Sequence, residues 1–177
     1  MLLAIDIILG PILGFVVYNE KKKTLKFDLA VIFLLQLSAL AYGVYSISQA
    51  RPVWIVYNVD RFELVRKNEL IEDNIQQAQL QFQQPSWFKP EYAATEFAKN
   101  TQQRNKDMFA EVLGGISLAQ RPERYVDFSK AKEKVQKRAQ SLELLQQYND
   151  KTVVEKTLAK YPKATAFLPM KASDLLI

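Results

Sequence analysis

The side chains best suited by type and spacing to acid–base chemistry are paired carboxylates such as Glu72 and Asp73. Such work needs two acids in contrasting environments, and adjacent acids on a helix normally both face water. The 177-residue chain has no His and no Cys. This removes the commonest general base, the thiolate nucleophile and the usual transition-metal ligands. No glycine-rich phosphate loop, nucleophile elbow or metal-ligand spacing occurs. The sequence therefore reads as a non-enzyme with no catalytic residue, cofactor or metal.

Asp6 raises a different question, because it lies in the apolar run Leu2 to Tyr18, about one turn before Gly10-Pro11. A carboxylate at membrane depth is costly unless it faces another helix or the aqueous interface. Pro11 frees a backbone carbonyl about a turn earlier, and Gly10 lets a second helix come close. Asp6, Gly10 and Pro11 are thus a candidate membrane helix contact. The alternative places Asp6 at the interface, near the N-terminus.

A second apolar run, Leu29 to Ile47, holds one Gln, two Ser and no charge over nineteen residues. As a helix it would measure roughly 28 Å, close to the ~30 Å hydrocarbon core of a bilayer. Two membrane-spanning helices are expected, about 2–18 and 28–48. A cleaved secretory signal would begin with basic residues, whereas the first charge here is acidic. Lys21, Lys22, Lys23 and Lys26 lie between the runs. Clustered lysines stay on the cytoplasmic side, so they are candidate topology determinants. The expectation is a helical hairpin over 1–50 with a short basic cytoplasmic loop, and residues 51–177 on the far side of the membrane.

Nineteen basic and sixteen acidic side chains after residue 52 leave that part at about +3. The charge is too small and too interspersed for a nucleic-acid surface. Val53–Tyr57 and Arg61–Val65, rich in β-branched and aromatic residues, flank Asn58-Val59-Asp60 and predict a hairpin. Ile71, Ile75, Ala78 and Phe82 recur at helical spacing. "PSWFKP", between Pro85 and Pro90, predicts a loop or the entry to an edge strand. "EYAATEFAKNT" suits either strand or helix. "RNKDMFAEVLGG" predicts a short helix ended by Gly114-Gly115. The longest helix is expected from Asp127 to Tyr148, with Lys130, Lys132, Lys134, Lys137 and Arg138 as a solvated basic face or a contact for anionic lipid or an acidic partner. A helix ending before Pro162 and a closing strand in "ATAFLPMKA" follow. Strands at both ends with helices between define a small α+β domain. The fold class is thus a transmembrane helical hairpin followed by a small α+β soluble domain.

"IDIILGPILGFVVYN" and "KFDLAVIFLLQLSALAYGVYSISQARPVWIVYNVDRFELV" together resemble the type IV pilin accessory protein family. The likeness rests on Asp6, Gly10 and Pro11; on Lys26, Asp28 and Leu29; on Gln36-Leu37 and Ala41-Tyr42-Gly43; and on Arg51-Pro52 with Asp60-Arg61-Phe62. It covers roughly residues 4 to 66, with "RYVDF" and "FLPM" further on. Family members usually begin with one more span and continue past "FLPM" with another hairpin. The resemblance therefore implies a form lacking the first span and the C-terminal end.

What the resemblance implies is a bacterial inner-membrane protein with a periplasmic domain. Its function would be to bind or stabilise a cognate type IV pilin and to modulate pilin level and pilus assembly. Arg51, Trp54, Trp87 and Phe88 are candidate partner-binding residues, with Trp54 equally suited to anchor at the bilayer boundary and Phe88 to a core. Expected partners are the pilin and membrane lipid, not nucleic acid; self-association stays open. The alternative is a membrane-anchored periplasmic ligand-binding or scaffold protein. A sensor would need a cytoplasmic output domain, which the nine-residue loop does not supply.

Overall fold

The computed structural model describes Ile12 and residues 24–172. The chain divides into two compact units, Met1–Arg51 and Pro52–Ile177. In the first, helix α1 spans Leu25–Ala50, 26 residues with none buried. At 1.5 Å per residue it measures about 39 Å, enough to cross a bilayer core. Two of its hydroxyls bond inward, Ser38 Oγ to the Leu34 carbonyl and Ser48 Oγ to that of Tyr45, both at 2.8 Å. An apolar medium requires such local pairing. The helix stops where Arg51 turns extended before Pro52, since a residue preceding proline is driven out of the helical region. The helix expected at 28–48 is therefore present and slightly longer. The expected span at 2–18, with Asp6, Gly10 and Pro11, lies outside the described residues apart from Ile12, which is helical.

The second unit is built on a mixed five-stranded sheet, ordered β4-β3-β1-β2-β7. β1 (Pro52–Asn58) and β2 (Arg61–Arg66) form the expected antiparallel hairpin. β3 (Glu91–Thr95) lies parallel to β1. β4 (Tyr125–Asp127) pairs antiparallel with β3. β7 (Met170–Ala172) closes the other edge, parallel to β2. A separate two-stranded ladder joins β5 (Gln140–Ser141) to β6 (Ala166–Phe167). Strands and helices around this sheet make the α+β domain that the sequence predicts.

Successive side chains of a strand point to opposite faces, and here both faces are covered. Val56, Ala93 and Tyr125 join one apolar cluster, while their neighbours Tyr57, Ala94 and Val126 join another. That is why β1 reads as an unbroken apolar run. A register shift between Pro52 and Trp54 lets Val53 and Trp54 both be buried, as a bulge permits. The first cluster centres on Trp54, Phe82 and Tyr125, each pair edge-on with centroids 5.6 Å apart. In the second, Tyr57, Phe62, Tyr92 and Phe128 form a chain of rings 5.7–6.3 Å apart.

Two expected helices are broken. The 71–82 pattern becomes a 3-10 turn at Ile75–Gln77 and a single turn α2 at Leu80–Gln83. The Ile71 N–H donates to the distant Gln120 carbonyl at 2.8 Å, and Ala78 and Gln79 adopt extended backbone. Ile75, Ala78 and Phe82 still pack into the core. The helix expected over 127–148 survives only as α4 (Lys132–Arg138) and the single turn α5 (Leu145–Tyr148). Asp127 and Ser141 each accept from a backbone N–H two residues on, and Ser141 also lies in the short ladder with Ala166. Local side-chain bonds and strand pairing thus interrupt the helical period. The single strand expected in "ATAFLPMKA" divides at Leu168-Pro169 into β6 and β7, the Phe62 N–H donating to the Pro169 carbonyl at 2.9 Å. α6 (Lys151–Leu158), capped by the Asp150 carboxylate, ends before Pro162 as expected.

Candidate functional site

Helix α3 (Thr101–Gly114) has well-formed ends. Asn100 Oδ1 accepts the N–H groups of Gln102 and Gln103, satisfying donors that a helix start leaves unpaired. At the other end Gly115 takes a positive φ of 65°, which glycine adopts without cost. What sets α3 apart is the direction of its faces.

The one buried residue among its fourteen is a carboxylate, Asp107. Arg124 Nε donates to Asp107 Oδ2 at 2.7 Å and Gln103 Nε2 to Oδ1 at 3.1 Å. The Arg121 guanidinium sits 3.8 Å from Oδ1 and 3.7 Å from Glu123 Oε1. Burial raises the Asp107 pKa, but the Arg124 and Gln103 hydrogen bonds and the Arg124 and Arg121 charges outweigh it, leaving a net lowering.

Apolar side chains of α3 point outward instead. Met108, Phe109, Val112 and Leu113 are 55, 61, 74 and 82% exposed. Their spacing makes one stripe on the helix surface. Phe97, also exposed, lines a groove of about 280 Å³ with Met108, Arg104 and Leu118. An ordinary surface helix turns its apolar stripe to the core; this one is held by ions and shows its stripe to the outside.

A second concave region, about 480 Å³, lies at the C-terminal ends of β1 and β3. Tyr57, Val59, Thr95, Glu96 and Phe97 line it, with Lys134, Lys137 and Arg138 of α4. Burial raises the Tyr57 pKa, Arg138 opposes the rise and Asp60 adds to it. The Tyr57 hydroxyl donates to the Val59 carbonyl at 2.8 Å. The cleft therefore sets the Tyr57 and Phe97 rings beside three cations and one carboxylate, Glu96. Beneath the hairpin, Asn58 Nδ2 donates to Glu63 Oε1 at 2.9 Å and to Ser117 Oγ at 3.1 Å. Thr95 Oγ1 donates to Asn58 Oδ1 at 2.9 Å. Among the described residues no group of acids is arranged to hold a metal ion.

The residues singled out from sequence fall in different places. Trp54 is 1% exposed in the core, so as a partner anchor or a bilayer-boundary residue it is corrected: β1 packs the indole against Phe82 and Tyr125. Trp87 and Phe88 are on the surface, 71 and 99% exposed, and Phe88 is thus not core. Arg51 Nη1 donates to the Ser48 carbonyl at 2.9 Å, capping the end of α1. Lys26 is exposed in the first turn of α1, while Lys21, Lys22 and Lys23 lie outside the described residues. Asp6, Gly10 and Pro11 do too. The α3 stripe was missed as a site. Its signal was present in the alternation of Met108-Phe109 and Val112-Leu113 with charged residues, but such a pattern ordinarily marks a core-facing stripe.

These features define an α+β domain joined to an apolar helix of membrane length. The chain belongs to the fimbrial assembly protein family, in keeping with the resemblance to type IV pilin accessory proteins. It is 32% identical over 179 residues to the fimbrial assembly protein of Dichelobacter nodosus serogroup I, covering 96% of this chain and 69% of that protein. It is 33% identical to the serogroup E1 protein over 175 residues, 94% of this chain and 67% of that one. The protein of serogroups C1 and C2 is 37% identical over 76 residues, 42% of this chain and 58% of that one. No protein-family model and no solved structure matches.

Proposed function

We propose that this chain is a non-enzymatic, membrane-anchored factor of type IV pilus biogenesis that binds its cognate pilin and so sets pilin level and pilus assembly. The observation that carries the reading is the outward apolar stripe of α3, held in place by the Asp107 ion cluster. The occupant we assign to it is an apolar segment of the pilin, because the relatives are named for fimbrial assembly. A fold that spends a buried carboxylate to keep Phe109 and Val112 in water fits a surface that is covered only in a complex. α1 anchors the factor in the inner membrane, and the lysines before it put the domain in the periplasm. Two linked contacts, one in the membrane and one on the domain, raise effective concentration without either being tight.

The test is recovery of pilin with the tagged full chain from detergent-solubilised membranes. Phe109→Ser with Val112→Asp should reduce recovery strongly, because the apolar centre of an interface dominates its energy. Both positions are exposed, so the domain should keep its unfolding midpoint. Undiminished pilin recovery with this variant would overturn α3 as the docking face.

A further inference from the structure

β1 begins at Pro52, with only Arg51 between it and the end of α1 at Ala50. Antiparallel pairing sets Arg66 opposite Pro52, and parallel pairing sets Glu91 beside Trp54. Three points of the chain therefore meet at one end of the sheet, while the Val59-Asp60 turn lies at the other. The loop that enters β3 at this first end is Pro85-Ser86-Trp87-Phe88-Lys89-Pro90. Its Trp87 is 71% and its Phe88 99% exposed, and Lys89 is exposed beside them. Two prolines limit the shapes such a loop can take.

A single residue tethers this end of the sheet to the end of α1, so the loop can travel only a short way from whatever surrounds that end. If α1 crosses a bilayer, that surrounding is the headgroup layer. Tryptophan is favoured there, phenylalanine gains by leaving water, and lysine reaches anionic headgroups along an apolar stem. The exposed pair, the adjacent cation and the short tether all suit the same occupant.

We propose that Trp87 and Phe88 form an interfacial anchor that seats this end of the domain in the headgroup layer of the membrane carrying α1. The inference rests on reading α1 as membrane-spanning. It gives the domain a second attachment, one that limits its swing about Arg51 and keeps the opposite end of β1 and β3 available to a protein partner.

The chain has no cysteine, so single-cysteine variants take one fluorophore each. Ser86→Cys, Val59→Cys and Leu40→Cys of the full chain would be labelled and reconstituted in vesicles of phosphatidylethanolamine and phosphatidylglycerol. Nitroxide lipids then quench at headgroup or at mid-bilayer depth. The label at 86 should be quenched several-fold more by headgroup nitroxide than the label at 59, and the label at 40 by the deep nitroxide. Adding Trp87→Ser and Phe88→Ser should lower headgroup quenching at 86 several-fold, though not to the value at 59 because the tether remains, without shifting the unfolding midpoint. Undiminished quenching at 86 would overturn the anchor. Quenching at 40 together with equal values at 86 and 59 would overturn the anchor while the spanning reading stands. No quenching at 40 would overturn the spanning reading and the anchor with it.

Discussion

Arg124 Nε lies 2.7 Å from Asp107 Oδ2, and both side chains are largely buried. This pair fixes α3 to the segment entering β4, so the exposed apolar stripe depends on an ion pair. Removing one partner of such a pair leaves an uncompensated charge, and Asp107→Ala should cost about 3 kcal/mol. The Asp107 pKa is lowered in the folded state: burial raises it, and the Arg124 and Gln103 hydrogen bonds with the arginine charges more than offset this. Its contribution is therefore complete above the unfolded carboxylate value near 3.9 and fades as pH falls through the folded one. Urea midpoints of the wild type and Asp107→Asn should differ at pH 7 and converge below about pH 4. A constant difference across that range would show that the carboxylate charge does not stabilise the fold.

Trp54 tests the core. Truncation to Ala should cost about 3–5 kcal/mol, since Phe82 and Tyr125 would face a cavity. Trp54→Phe should cost clearly less. Trp54 Nε1 is buried with no hydrogen-bond partner among the described residues, so losing that N–H recovers part of the lost packing. Chemical unfolding monitored by circular dichroism orders the variants; equal costs would mean that the indole is not held as described.

Sequence patterns identified the elements that rest on local chemistry. The hairpin, the α3 helix with its glycine end, the α6 stop before Pro162 and the long apolar helix all follow from residues next to one another. Elements decided by distant partners were misread. Ile71 gives its N–H to Gln120, and the expected long helix is cut where Ser141 pairs with Ala166. The same limit applies to the site. Trp87 and Phe88 are exposed, whereas Trp54, chosen with them as a candidate for partner binding on the same aromatic character, lies in the core. No local signal separates them, because burial depends on what β3 and β4 later bring alongside. The inversion of α3 depends on Arg121 and Arg124, residues past its end that supply the charges for Asp107.

Val59 occupies the first position of the two-residue hairpin turn with a φ of 58°. A β-branched side chain is strained there, at a cost of order 1–3 kcal/mol. Val59→Asn or Val59→Gly should therefore stabilise the domain, by about 1 kcal/mol. Because Val59 also lines the cationic cleft, the same variants report whether the cleft matters to pilin recovery. A lowered unfolding midpoint would show that the turn is not strained.

Orientation follows from Lys21, Lys22, Lys23 and Lys26. A phosphatase that is active only in the periplasm should work when fused after Arg66 and stay silent when fused after Lys23. The opposite pattern would place the domain in the cytoplasm and overturn the periplasmic reading.

Deleting the gene should lower cognate pilin or surface pili, and no single carboxylate change in the domain should reproduce the full loss. The structure gives the obvious candidates local roles. Glu72 pairs with Lys67 on the surface, and Asp127 accepts the Ser129 N–H at 2.8 Å, an exposed cap. Side-chain and backbone hydrogen bonding to Ser129 lowers the Asp127 pKa, so it is ionised rather than poised to donate a proton. A binding surface spreads its energy over several apolar contacts, so the α3 pair Phe109 and Val112 should matter more than either acid. Pilin abundance by immunoblot and surface piliation by electron microscopy would be measured in the deletion, in Glu72→Gln and Asp127→Asn, and in the α3 variant. Unchanged piliation in the deletion removes the pilin reading. Complete loss from one carboxylate change, with the protein still folded and present, would instead mark that acid as catalytic.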